Sequence, residues 1–420
     1  MNRTVLLVII SFFTAFQYSC AQGKNATDEP RIIPGAERMN VYVPMLKGKR
    51  VAVFANQTSM VGNTHLVDTL LASGVKVVKI FGPEHGFRGK ADAGESVKNT
   101  VDKKTGIPII SLYGSHKRPT KDDLKGVDVL LFDIQDVGVR FFTYISSLEE
   151  YMEAAFEHGI PLMLLDRPNP NGWYVDGPVL EKEYKSFIGM QPVPVVYGMT
   201  IGEYALMIAG ERWLSEKANK RYDFYRTAEN SPDTPFHFQV IKNGNYDHTK
   251  KYVLPVFPSP NLPEMQSVYL YPSTCFFEGT VLSEGRGTSK PFQVFGHPVL
   301  PKHLYSFTPR PNEGAKNSKH YYKKNYGWYL GGPVHDVLKK VDGKVQIKYL
   351  VEAYRLFPGK DTFFLKNNFF NKLAGNATLM QQVKNGTSEE DIRKSWQPAL
   401  NNFKAIRKKY LLYKDFDDEG

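Results

Sequence analysis

The chain has 420 residues, 42% hydrophobic and 13% aromatic, which is enough apolar material for a sizeable core and for two or three domains. Charged residues make up 23% and are well mixed, without long low-complexity or single-sign runs, so a largely disordered chain is excluded. The formal net charge of +11 suits plain solubility or attraction to an acidic glycan or anionic lipid, and the export signal at the N-terminus argues against nucleic acid as a partner.

That signal comes first. Arg3 supplies a positive end, residues 4–16 form a short apolar stretch, and the small residues Ser19 and Ala21 follow. The stretch is too short to span a bilayer, so residues 1–21 are expected to be a cleaved signal peptide, with a periplasmic or envelope location. Cys20 leaves two outcomes open, cleavage after Ala21 or lipidation at Cys20 itself. No other segment is long and apolar enough to span a membrane. Beyond the signal only Cys275 remains, which excludes an intrachain disulfide and a cysteine-based metal site. No metal and no cofactor are expected.

Residues 22–30 read as a polar, flexible leader. Residues 31–250 then alternate apolar runs with amphipathic ones. Strands are expected at 50–55 (RVAVFA), 75–81 (VKVVKIF), 127–133 (VDVLLFD) and 161–165 (PLMLL), with helices at 65–72 and 143–157 between them. This alternation predicts an α/β fold with a Rossmann-like parallel sheet and crossover helices. Residues 200–217 form the clearest helix, with Thr200 as cap and Glu203 three residues on. Residues 251–420 differ in texture. Pro, Gly and aromatic residues dominate to about residue 310 and helical periodicity is weak until about residue 346, which predicts a smaller domain of irregular or β structure. Helices at 347–357 and 388–408 follow, the latter opened by Ser388 and Asp391.

Each expected strand of the first domain ends in polar residues: Asn56 after the first, Glu84 and His85 after the second, Asp133 and Asp136 with Arg140 after the third, and Asp166, Arg167 and Asn169 after the fourth. In a parallel sheet these ends share one edge, outside which ligands bind. Glu84, between Pro83 and His85-Gly86, is either a general acid with a raised pKa or a loop-bracing carboxylate. His85 is either catalytic or a hydrogen-bonded structural histidine. Asp133 and Asp136 could bind a metal, act as base or nucleophile, or cap a helix. Arg140 and Arg167 could clamp a carboxylate or pair with those same aspartates. In the second domain the glycines around Glu284 and Arg286 form either a loop presenting both or an ordinary hairpin turn. The chain lacks G-x-G-x-x-G after its first strand, a P-loop, a G-x-S-x-G elbow and H-E-x-x-H, which disfavours dinucleotide, serine-hydrolase and zinc-protease chemistry.

Seven strings in order, VAVFANQTS (51–59), FGPEHGFRG (81–89), FDIQDVGVRFFTYI (132–145), LDRPNP (165–170), YGMTIGE (197–203), PSPNLP (258–263) and FEGTVLSEGRGT (277–288), resemble the NamZ-type exo-β-N-acetylmuramidase family. The resemblance runs from about residue 31 to 413. It implies a Rossmann-like domain joined to a smaller domain of β-barrel character, with the active site in the cleft between them. It further implies release of N-acetylmuramic acid from the non-reducing end of peptidoglycan fragments, with the catalytic glutamate of the P-E-H-G string at Glu84. Asp133, Asp136 or Glu284 could then be the second carboxyl group, unless the 2-acetamido group of the sugar supplies its own nucleophile. An arginine is expected to read the lactyl carboxylate, with Arg140, Arg167 and Arg286 as candidates. Asn56, Tyr144, Asp166, Asn169 and Glu284 complete the expected substrate contacts. The competing readings are a non-catalytic cell-wall glycan-binding protein using the same cleft, and an esterase or amidase acting on another cell-wall bond.

Overall fold

The computed structural model describes residues 30–83, 87, 99–227 and 236–417. A short helix, α1 (Met39–Leu46), leads into the first strand, β1 (Arg50–Ala55), which has the expected bounds. A small hairpin of β2 (Met60–Val61) and β3 (Thr64–His65) follows. Helix α2 (Leu66–Ala72) is capped by the His65 ring, and β4 (Lys76–Gly82) comes next. Then come β5 (Thr100–Val101), β6 (Pro108–Ser111), β7 (Val129–Asp133), α3 (Tyr144–His158) and β8 (Leu162–Leu165). Helices α4 (Ile201–Gly210) and α5 (Glu216–Thr227) precede β9 (Phe238–Ile241).

These strands form a seven-stranded sheet in the order β5-β6-β4-β1-β7-β8-β9, parallel except for β5 at its edge. Leaving β5 aside, the order from β6 to β9 is that of the doubly wound Rossmann sheet. The chain starts at β1, winds out to β6, returns and winds the other way from β7. The direction therefore reverses between β1 and β7, where a crevice opens at the carboxyl edge.

The central strands are buried on both faces, as parallel strands under helices must be. Their side chains alternate with period two. Ala52, Phe54, Leu130, Phe132, Leu162 and Leu164 enter one core cluster, whereas Val51, Val53, Ala55, Val129, Leu131, Met163 and Leu165 enter the other. Helices α1 and α2 cover the second cluster. The first is far larger and runs on without a break into the C-terminal half, taking in Phe276, Phe277, Phe295, Leu350 and Trp396.

That half departs from expectation in two ways. Its β structure is a three-stranded antiparallel sheet, β10 (Val294–His297), β12 (Asn325–Tyr329) and β11 (Tyr305–Phe307), with β12 in the middle. Among the described residues no closed barrel forms: three strands of three to five residues, with a single bridge from Ser283 to Gly296 on the outer side of β10, do not close on themselves. The remainder is mostly helical: α6 (Met265–Thr274), α7 (Val334–Val341), α8 (Lys348–Leu356), α9 (Phe369–Ala374), α10 (Thr378–Lys384) and α11 (Glu389–Lys408). Helix α6 lies within the stretch expected to be irregular. It is buried almost all round, so it shows no polar face, and it contains Pro272 near its end. The expected helix over 200–217 is also two: α4 stops at Gly210, whose missing side chain admits the Tyr410 ring, and Arg212 turns the chain with φ 59° before α5 begins.

Candidate active site

The carboxyl edge between β1 and β7 is fastened to the C-terminal half by hydrogen bonds. Asn56, fully buried just past β1, accepts from the Thr58 amide (2.9 Å) and donates through Nδ2 to the Tyr144 hydroxyl (2.9 Å). Tyr144, at the start of α3, in turn donates to the carbonyl of Pro258 (2.9 Å). Gln57 Nε2 donates to the carbonyls of Phe257 and Pro258 (3.2 and 3.1 Å). Two of the expected contact residues, Asn56 and Tyr144, are thus brought together as a brace on the proline-rich segment 256–261. Such a segment presents carbonyls without matching amide donors, so it accepts these bonds readily.

Beside this brace lies a cavity of about 220 Å³. Its walls are aromatic, including Phe141, Phe142, Tyr144, Tyr271 and Phe292, with Phe187 and Phe369 further round. Its charged lining residues are Glu278 and Arg286, and Asn261 and Ser259 add polar groups from the proline-rich segment. Arg286 Nη2 donates to Glu278 Oε1 at 2.5 Å, each side chain about one-fifth exposed. Behind them Glu284 is buried, 3.4 Å from Arg286 Nε and 3.1 Å from Lys319 Nζ. Burial alone would raise the Glu284 carboxyl, but Lys319 and Arg286 together hold it below its ordinary value. An apolar enclosure with a few convergent charged groups is the general form of a ligand site.

Most of the other expected residues are engaged elsewhere. Asp133, at the end of β7, is fully buried, and both its oxygens are taken by Arg167 (Nε 2.5 Å, Nη2 2.8 Å), which also donates to the carbonyl of Met60. The salt-bridge alternative for this pair is the one realised. The two residues are engaged with each other, and neither lines the cavity. Arg140 is also engaged away from the cavity. Its guanidinium is fully buried and donates to the carbonyls of Pro178, Val193 and Leu373, all at 2.8 Å, and burial without a carboxylate partner lowers its pKa to about 9.

Asp136 accepts from the Gly138 amide (2.6 Å) and the Tyr197 hydroxyl, while its other oxygen has no hydrogen-bond partner among the described residues. Burial pushes this carboxyl up to about 6 against the lowering effect of those bonds. It does not line the cavity. Asp166 serves as the N-terminal acceptor of α4, taking the Gly202 amide (2.8 Å), the Tyr413 hydroxyl (2.5 Å) and Asn243 Nδ2 (3.2 Å), and burial together with nearby Glu203 raises it to about 7. Asn169 braces a turn, donating to the carbonyl of Met199 and accepting from the Asn171 amide. Its amide presses on Gly138, whose φ of 75° and lack of a side chain allow that approach.

Glu84 and His85 lie outside the described residues. Of the expected residues, Tyr144 and Arg286 line the cavity, with Asn56 and Glu284 directly behind them. Glu278 had no expected role, although it lies in the FEGTVLSEGRGT string (277–288). Its spacing of eight residues from Arg286 has no meaning until η-type turns of the chain (Cys275–Gly279) fold it back. Among the described residues no group of three or more His, Cys, Asp or Glu is placed to hold a metal ion.

Comparison with known proteins gives these features a family. Residues 51–266 match the profile described as exo-beta-N-acetylmuramidase NamZ, N-terminal, and residues 269–413 match its C-terminal counterpart. The peptidoglycan beta-N-acetylmuramidase NamZ of Bacillus subtilis (strain 168) is 39% identical over 436 aligned residues, covering 98% of this chain and all of that protein. Two crystal structures of DUF1343 family proteins from Bacteroides fragilis NCTC 9343 share the architecture. One has a TM-score of 0.80 at 44% identity and the other 0.74 at 29%, each covering 92% of this chain and all of the other. With both profiles matched in order and a relative aligned from end to end, the chain belongs to the NamZ family of exo-β-N-acetylmuramidases.

Proposed function

We propose that this protein is an exo-acting glycosidase that removes N-acetylmuramic acid from the non-reducing end of peptidoglycan fragments, serving cell-wall turnover or recycling after export to the periplasm or cell envelope. The observation that carries the reading is the end-to-end match to the Bacillus subtilis protein, a named peptidoglycan β-N-acetylmuramidase. The match spans the sheet, its carboxyl edge and the cavity-bearing C-terminal half alike, so no part of the site belongs to an unmatched segment.

Glycoside cleavage needs an acid that protonates the departing oxygen. Glu84, in the Pro-Glu-His-Gly string that follows β4, takes that role in this reading, with His85 beside it. A cavity walled by aromatic side chains suits a sugar ring, whose apolar face packs on them while its hydroxyls and acetamide meet polar groups. With Asp133 buried away from the cavity, the second carboxyl is Glu278 at the cavity, Glu284 behind it or Asp136, or it is unnecessary, because a 2-acetamido sugar can supply its own nucleophile.

The test uses peptidoglycan fragments that end in muramic acid and fragments that end in glucosamine, with mass spectrometry of the products. Free N-acetylmuramic acid is expected from the first set only, and Glu84→Gln should abolish its release. Binding of both sets with no cleavage by the wild type would favour a glycan-binding protein instead. Release of peptide or acyl groups would favour an amidase or esterase.

A further inference from the structure

We propose that Arg286 is the residue that reads a carboxylate in the cavity, and that Glu278 and Glu284 position its guanidinium to do so. This rests on the muramidase reading, which makes the lactyl carboxylate of muramic acid the anion concerned. Three arginines were candidates from the sequence. Arg140 is spent on three backbone carbonyls and Arg167 on Asp133 and Met60, whereas Arg286 lines the cavity.

Arg286 stands between two glycines in the left-handed region, Gly285 (φ 84°) and Gly287 (φ 79°). A side chain at Gly285 would run into Val294 at 2.7 Å, and one at Gly287 into the carbonyl of Arg310 at 2.8 Å. The backbone on both sides of Arg286 is therefore pinned, and the side chain leaves a fixed point. Its guanidinium is then fixed from behind. Glu278 accepts from Nη2 at 2.5 Å, Glu284 lies 3.4 Å from Nε, and the Phe292 ring packs 5.2 Å from the guanidinium carbon. Lys319 holds the assembly by donating to Glu284 (3.1 Å) and to the carbonyls of Phe277 (2.8 Å), Glu278 (3.2 Å) and Leu282 (2.9 Å).

Nη1 has no acceptor among the described residues. Nη1 and Nη2 together make the edge of the guanidinium away from Glu284, where parallel N–H groups on adjacent nitrogens take a carboxylate with paired hydrogen bonds. Two cations balance two carboxylates here, so the cluster carries no surplus charge that would attract anions indiscriminately. Selectivity comes from directed donors. A lysine keeps the charge and the ion pairs but not the fork. Glucosamine lacks the lactyl group and would leave those donors unmet.

The experiment measures dissociation constants of N-acetylmuramic acid and N-acetylglucosamine for the wild type, Arg286→Lys and Glu278→Gln, alongside hydrolysis of a chromogenic muramide by the wild type. The wild type is expected to favour the muramic acid by at least about tenfold, and Arg286→Lys to bring the two sugars within about twofold. Glu278→Gln is expected to shrink the preference by about threefold, and Glu278→Asp to recover it, as a positioning carboxylate would. A wild type that hydrolyses the muramide while Arg286→Lys keeps the full preference overturns this proposal alone. A wild type that neither hydrolyses nor binds the muramide overturns the muramidase reading with it. Should Arg286→Lys fail to fold, a crystal structure of the wild type with N-acetylmuramic acid decides. The lactyl carboxylate is expected within hydrogen-bond distance of Arg286, and its placement on another cation would overturn the proposal.

Discussion

Asp133 and Asp136 sit three residues apart and look alike in the sequence, yet their surroundings give them opposite electrostatics. Asp133 pairs with Arg167 through both of its oxygens, with almost no solvent exposure. Such a pair is weak as a source of stability but costly to halve, because the surviving charge is stranded. Asp133→Asn is expected to lower the unfolding free energy by about 3–5 kcal/mol in a denaturant titration, and a loss below 1 kcal/mol would mean that Arg167 finds another partner. Asp136 is buried with one oxygen unpartnered among the described residues and its pKa raised from 3.8 to about 6. The folded state therefore holds a proton that the unfolded chain has released. The contribution to stability is complete below the unfolded pKa and disappears as pH rises through about 6. Asp136→Asn removes the dependence. The stability difference should move in favour of the variant by about 3 kcal/mol between about pH 4 and about pH 7. A constant difference across that interval would show that the carboxyl is not perturbed.

At the level of elements, local chemistry in the sequence was a good guide wherever it was self-contained. Thr200 accepts from the Glu203 amide (3.2 Å) while Glu203 accepts from the Thr200 amide (2.8 Å), the reciprocal box that the spacing predicts. Ser388 caps α11 in the expected way. Replacing Thr200 by Ala should cost about 1 kcal/mol, measurable as a shift in denaturation midpoint at unchanged slope. The four core strands were legible to within a residue or two because runs such as VAVFA and VLLFD have no other stable use in a chain of this composition. What escaped was set by tertiary contact. Helix α6 has no polar face to reveal its period, and α4 ends where Tyr410 packs on Gly210, some two hundred residues away in the chain. The site was legible in part for the same reason. Polar residues at strand ends marked the edge beside which the cavity lies, but whether each one faces that cavity or a neighbour depends on partners the sequence does not pair. Asp133, Arg167, Arg140 and Asn169 turned inward, and Glu278 came to the cavity from a turn that gave it no distinguishing pattern.

For the whole molecule, the parallel sheet and the helical C-terminal half share one continuous core, and residues from Ile32 onward form one compact unit. The C-terminal tail ties this together. Tyr413 donates to Asp166 (2.5 Å), the Leu412 amide donates to Glu203 (2.7 Å), and Arg407 pairs with Asp415 (2.6 Å). Those bonds satisfy two carboxylates buried beneath α4. Truncation after residue 408 is expected to lower the melting temperature of the whole protein in one cooperative transition, because Asp166 and Glu203 lose hydrogen-bond donors that water cannot replace without opening the core. Two resolved transitions in calorimetry would show instead that the halves fold independently.

The central claim is that this fold carries a glycosidase selective for muramic acid. Its most direct test is the rate at which the purified protein releases chromophore from a chromogenic β-N-acetylmuramide and from the corresponding β-N-acetylglucosaminide. The account predicts release from the muramide only, lost in Glu84→Gln. Equal release from both sugars, or release from the muramide that survives in Glu84→Gln, would contradict it.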